Sequence, residues 1–173
     1  MKPTPANSRR KPSQSKSESG LVSAQRKKEV LGLILMVLSI LIAFAVLSYS
    51  ESDQGLAQTF SLREALNPGD NRAANFLGLI GAWIAHGLVF NFLGYTVIAL
   101  PALLFAWGYM SFRNRQPVYF PTLALLIFVA AFVVAAIFGW LGQPPEGLDT
   151  DSWSGRWGDG TAAWMILVFG RYG

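Results

Sequence analysis

The chain has 173 residues, of which 52% are hydrophobic and 14% charged, and it has no cysteine. Its apolar residues fall in runs of span length, which excludes an ordinary soluble domain. The missing cysteines exclude a disulfide framework, an Fe–S site and a thiol nucleophile. The net charge of +4 is unevenly spread: residues 1–29 hold eight Lys/Arg against two Glu, so the remainder is slightly acidic. This composition predicts an all-α membrane protein, a polytopic helical bundle with three spans plus interfacial helices.

Residues 1–29 are rich in Ser, Pro, Lys and Arg and too poor in apolar residues to bury a core, which predicts a disordered basic tail. Arg26, Lys27 and Lys28 abut the first apolar run and hold the N-terminus on the cytoplasmic side. Residues 30–48 are the first span. Its competitor is a cleaved signal peptide, since Ala43-Phe44-Ala45 has the small-x-small form of a processing site. The long preceding tail and the apolar run through Val46 and Leu47 argue against cleavage.

Residues 49–72 carry four acids, Glu51, Asp53, Glu64 and Asp70, against Arg63 and Arg72, and are placed in the periplasm. Ser61-Leu62-Arg63-Glu64 has the form of a capping box, and Asn67-Pro68-Gly69 would end that short helix within two turns. Ala73 to Phe112 then runs for forty residues without Asp, Glu, Lys or Arg, enough for one span with a preamble or for two spans. In the first half, residues 73–92, Gly78, Gly81, Ala82 and Ala85 form a stripe of small residues that lets another helix approach closely in lipid. His86 lies beside it. A lone His without a second His or a carboxylate makes a poor metal site, and an interfacial His bonded to backbone or water is the plainer reading. Residues 93–112 are the second span, with Pro101 as its expected kink.

Arg113 and Arg115 mark a positive turn over residues 113–119, and Tyr119 and Phe120 stand at the next membrane boundary. Residues 120–141 are the third span. Residues 142–173 form a second acidic loop in which Asp149 and Asp151 are spaced for a cation or partner contact, with solvated loop acids the plainer reading. Thr161 to Phe169 reads as a short interfacial helix, with Trp153, Trp157 and Trp164 at headgroup level. If the long stretch crosses once, Arg113 and Arg115 are cytoplasmic and both acidic loops lie outside. If it crosses twice, these positions invert. The positive-inside rule favours the single crossing.

The sequence has no G-x-x-x-x-G-K-[ST], H-E-x-x-H or G-x-S-x-G. None of the three spans holds a charged residue, against an ion or proton pathway of the usual kind. The chain is therefore expected to be no enzyme and to hold no cofactor or metal.

Four stretches, in order, resemble the N-terminal membrane domain of the FtsK/SpoIIIE family of bacterial DNA translocases. They are Leu47-Ser48-Tyr49-Ser50-Glu51-Ser52-Asp53, then Asn75-Phe76-Leu77-Gly78-Leu79-Ile80-Gly81-Ala82-Trp83-Ile84-Ala85, then Phe92-Leu93-Gly94-Tyr95 through Pro101 to Trp107-Gly108-Tyr109, and Ser154-Gly155-Arg156-Trp157-Gly158. His86 stands where the family commonly has an Asp. The family domain has four spans followed by a cytoplasmic motor, so the resemblance implies a membrane anchor cut before its fourth span. It also implies homo-oligomer formation, contact with other septal membrane proteins, and access to DNA and ATP only through a motor outside this chain. The other reading that the residues leave open is a stand-alone small polytopic membrane protein, such as a transporter or accessory subunit.

Overall fold

The computed structural model describes residues 14–59, 61, 63, 72–115, 118–143 and 149–170, with backbone alone for 14–24. Among the described residues there is no strand. Helix α1 is Gln14–Leu47, followed by a 3₁₀ turn Glu51–Asp53 and the one-turn α2, Gln54–Gln58. Helix α3 is Gly78–Ala85 and runs into a π-helical segment, His86–Leu93, then a 3₁₀ segment, Gly94–Ile98. Helices α4 (Ala99–Phe112), α5 (Phe120–Leu141) and α6 (Asp151–Phe169) complete the chain. Both Ser61–Glu64 and Asn67–Gly69 reach outside the described residues.

Among the described residues, three stretches are long and apolar enough to cross a membrane: Gln25–Leu47, Gly78–Phe112 and Phe120–Leu141. The middle one has 35 residues. As a single straight helix it would be about 52 Å long against a hydrocarbon core of about 30 Å. It is not straight. Phe92 has φ −119° and ψ −105°, and Gly94 has φ 65°, so the axis breaks between them. From Gly94 to Phe112 the rise is about 31 Å, one crossing's worth.

Helices α1 and α4 pack antiparallel. The Ser111 hydroxyl donates to the Lys28 carbonyl at 3.2 Å, and Gly32 faces Gly108 so closely that a Cβ on either would meet the other helix's backbone. Helices α5 and α6 form a second antiparallel pair. Thr150 Oγ1 donates to the Phe138 carbonyl at 2.8 Å, Gly158 packs on Gly139 and Ala135, and the Trp157 ring stands edge-on to Phe132 at 5.2 Å. Contact between α4 and α5 is slight. The two pairs are joined at one end by the π and 3₁₀ segments, where Val46, Val89, Leu93, Val97 and Ala135 form the buried core.

That end carries Tyr49, Tyr95 and Trp153 and is called the aromatic end below; Lys28, Arg113 and Arg115 mark the opposite, basic end. Asn75 and Tyr95 lie at opposite ends of the stretch between them, yet both sit at the exit of α1, Asn75 bonded to the Ala45 carbonyl and Tyr95 with its ring edge-on to Tyr49 at 6.1 Å. Residues 75–95 thus begin and end at the aromatic end.

Three expectations are corrected. Residues 151–160 are not loop: α6 is continuous in sequence from Asp151, apart from a break at Gly155 with φ 59° and ψ 176°. Thr161–Phe169 is not a separate short helix but the continuation of one that lies along α5. The opposing stripes Ala131/Ala135/Gly139 and Ser154/Gly158/Ala162, both at i, i+4, i+8 and all buried, let the two backbones meet. Pro101 makes no kink. It stands in the first turn of α4, directly after the 3₁₀ segment, and the axis breaks at Phe92–Gly94 instead.

Candidate functional site

The densest set of side-chain contacts is a clamp at the aromatic end. Helix α1 ends with unpaired carbonyls, as every helix does. Asn75 reaches back to them: its Nδ2 donates to the carbonyls of Ala45 at 2.8 Å and Ser48 at 3.2 Å, while its Oδ1 accepts from the Leu77 N–H at 3.1 Å. The Ser48 hydroxyl donates to the Phe44 carbonyl at 2.6 Å and accepts from the Phe76 N–H at 3.1 Å. Asp53, buried, accepts from the N–H of Ala74 at 2.9 Å with one oxygen and of Asn75 at 3.0 Å with the other. A buried carboxylate needs such donors to replace water. Three polar residues thus tie the exit of α1 to the entry of α3.

Beside the clamp, two glycines interlock. A Cβ on Gly155 would stand 2.5 Å from the Gly94 nitrogen, 2.6 Å from the Phe92 oxygen and 2.8 Å from the Val89 oxygen. A Cβ on Gly94 would run into the backbone of Trp153. Both glycines have positive φ, so residue type is required twice over, by space and by conformation. Aromatic rings close the junction: Tyr49 against Tyr95 at 6.1 Å, Tyr95 against Trp153 at 5.4 Å, and Trp153 against Phe138 at 5.5 Å. Burial pushes the Tyr49 hydroxyl's pKa up; the Gln54 side chain, bonded to it at 2.9 Å, opposes this, and nearby Glu51 adds to the rise. Ser152 Oγ donates to Glu51 Oε1 at 2.9 Å, and Ser154 Oγ donates to Asp159 Oδ1 at 2.6 Å.

The small-residue stripe is split. Gly81, Ala82 and Ala85 are buried, but a Cβ on Gly81 would strike the Asn75 side chain and Leu77, neighbours within the chain and not another molecule. Gly78 drops out of the face: it opens α3 with φ 62° and nothing lies within 4 Å of where its Cβ would be. His86 is buried within the chain, stacked on Phe90 at 4.9 Å, and its Nδ1 has no hydrogen-bond partner among the described residues. Asp149 and Asp151 are both exposed at the aromatic end, with Asp151 in the first turn of α6. Arg26, Lys27 and Lys28 are exposed on α1, and α4 brings Arg113 and Arg115 to the same end. The Arg113 guanidinium bonds the Tyr109 hydroxyl at 3.1 Å, and Asn114, at φ 50°, closes α4. No group of three His, Cys, Asp or Glu able to hold a metal occurs among the described residues.

The clamp residues were within reach of sequence reasoning only as motif positions. Asp53 looked like one more loop acid, and nothing local marks an acid that will be buried 21 residues away from its donor. The matched stripes on α5 and α6 were visible as spacing, but helices of this kind carry many such spacings.

Residues 24–173 match the model of the 4TM region of DNA translocase FtsK/SpoIIIE. The chain belongs to this family. Over 105 residues, 61% of the chain, it is 33% identical to the DNA translocase FtsK of Vibrio parahaemolyticus serotype O3:K6 (strain RIMD 2210633), and the match spans 9% of that relative's length. No solved structure matches the chain. The family's matched region is a membrane region and not the motor, and the chain is accordingly a multi-pass inner-membrane segment of a cell-division DNA translocase family.

Proposed function

We propose that this chain anchors and assembles a DNA translocase at the division septum, for chromosome segregation, with its ATP-driven motor outside the residues described. In this reading the basic end faces the cytoplasm and the aromatic end the periplasm, Gly78–Phe112 crosses once, and α6 is the head of a fourth crossing. The observation that carries it is the seat of α6: it runs antiparallel to α5 from the aromatic end back toward the basic end. That course would return the chain to the side of the N-terminal tail, where DNA and ATP are. Charge supports the same orientation, with Arg26, Lys27, Lys28, Arg113 and Arg115 at one end and Glu51, Asp53, Asp149, Asp151 and Asp159 at the other.

The clamp and the two glycine interlocks would make the periplasmic cap a rigid platform for other septal membrane proteins or for further copies of the chain. Most of the large apolar side chains on α1 and α5 are exposed in the monomer, which suits lipid or a neighbouring copy. An N-terminal fluorescent fusion of residues 1–173, produced in dividing bacteria, is expected to concentrate at the septum. Even distribution around the envelope would contradict the septal role.

A further inference from the structure

At the basic end, α1, α4 and the start of α5 border an open cavity of about 380 Å³, within the size range of small-ligand sites. Lys28 and Arg115 stand on its wall, with Ser111 and Asn114 between them; Leu31, Trp107, Phe120 and Pro121 line the rest. Lys28 and Arg115 come from segments far apart in sequence, brought together by the antiparallel packing that also bonds Ser111 to the Lys28 carbonyl at 3.2 Å. Neither cation has an ion pair among the described residues, and no acid lines the cavity. The nearest described acid along α1, Glu29, accepts from the Gln25 side chain at 3.2 Å.

We propose that this cavity binds the phosphodiester headgroup of an anionic phospholipid. It lies where the uncharged spans give way to charge, the level of the headgroups. Its two cations face a position with no anion of the protein's own, and Arg115 offers the planar fork of donors that matches two phosphate oxygens. The Asn114 side chain supplies a neutral donor beside the cations. Leu31 and Trp107, both more than half exposed, give the acyl chains an apolar wall directly beside them, and an indole suits the boundary itself. A soluble anion would use the cations and leave the apolar wall idle. Basic pockets between spanning helices on the cytoplasmic side are a general solution for anionic lipid. The assignment to the inner leaflet rests on the orientation proposed above; the site itself does not.

The test uses the full chain in nanodiscs of phosphatidylcholine, titrated with phosphatidylglycerol or cardiolipin, and native mass spectrometry of the same protein from detergent. The wild type is expected to retain anionic lipid adducts and to gain thermal stability with either lipid. Lys28→Gln with Arg115→Gln, both exposed and so free of packing cost, should weaken binding at least about tenfold. Arg156→Gln, at the other end, should leave it unchanged. Equal binding by the double variant, or equal loss in Arg156→Gln, would overturn the site, as would stabilisation by inorganic phosphate alone to the same extent. Because a nanodisc carries the same lipids on both faces, a wrong orientation would not alter this result and would show only in a topology measurement.

Discussion

The two oxygens of Asp53 accept from two backbone N–H groups 21 and 22 residues further along, and the residue is 5% exposed. A carboxylate is required there because it is all acceptor. In Asp53→Ala both amides lose their partner, and in Asp53→Asn one of them faces an NH₂ donor. Buried bonds to a charged group are worth about 1.5–3 kcal/mol each, and an unmet buried donor carries its full desolvation cost. Both variants are therefore expected to lose about 2 kcal/mol or more of stability, read by thermal unfolding in detergent. If Asp53→Asn matched the wild type, the carboxylate would not be what holds the clamp. Asn75→Ala should behave similarly, since it strips partners from the carbonyls of Ala45 and Ser48 and from the Leu77 N–H.

Among the elements, the close approaches decide the packing, and they make two glycines of α6 behave oppositely. A Cβ on Gly158 would meet the Ala135 carbonyl oxygen, whereas one on Gly160 meets nothing within 4 Å. Gly158→Ala should cost roughly 1–3 kcal/mol by forcing α5 and α6 apart. Gly160→Ala should stabilise by up to about 1 kcal/mol, the usual gain when a helical glycine acquires a methyl group. Unfolding midpoints shifted in the same direction would refute the packing of α6 on α5. The same contrast explains what the sequence could reveal. Charge-free runs of span length announce membrane helices because lipid leaves a helix no alternative, so the all-helical class and the span-length segments were legible. Which small residues touch was not, because Gly78/Gly81/Ala82/Ala85 and Ala131/Ala135/Gly139 look alike until the neighbour is known. Pro101 misled for a related reason: its effect depends on where the helix begins, and the α-helical run begins at Ala99, after the break at Phe92–Gly94 and a 3₁₀ segment.

At the scale of the molecule, two antiparallel pairs are fastened at the aromatic end and packed only slightly on each other between α4 and α5. The stretch between Asn75 and Tyr95 begins and ends at that fastened end, and in the proposed orientation the uncharged forty residues supply one crossing and a cap. Arg26, Lys27, Lys28, Arg113 and Arg115 then fall on one side and Glu51, Asp53, Asp149 and Asp151 on the other, and the proposed platform, anchor and lipid site follow from the same arrangement. The absence of cysteine makes the arrangement open to direct measurement by single substitutions at exposed positions, Ser52→Cys, Asn114→Cys and Asp149→Cys, treated with an impermeant maleimide on intact cells with an opened outer membrane. Residues 52 and 149 should label from outside and residue 114 only after the inner membrane is permeabilised; labelling of residue 114 from outside, with 149 protected, would contradict the single crossing and the orientation built on it.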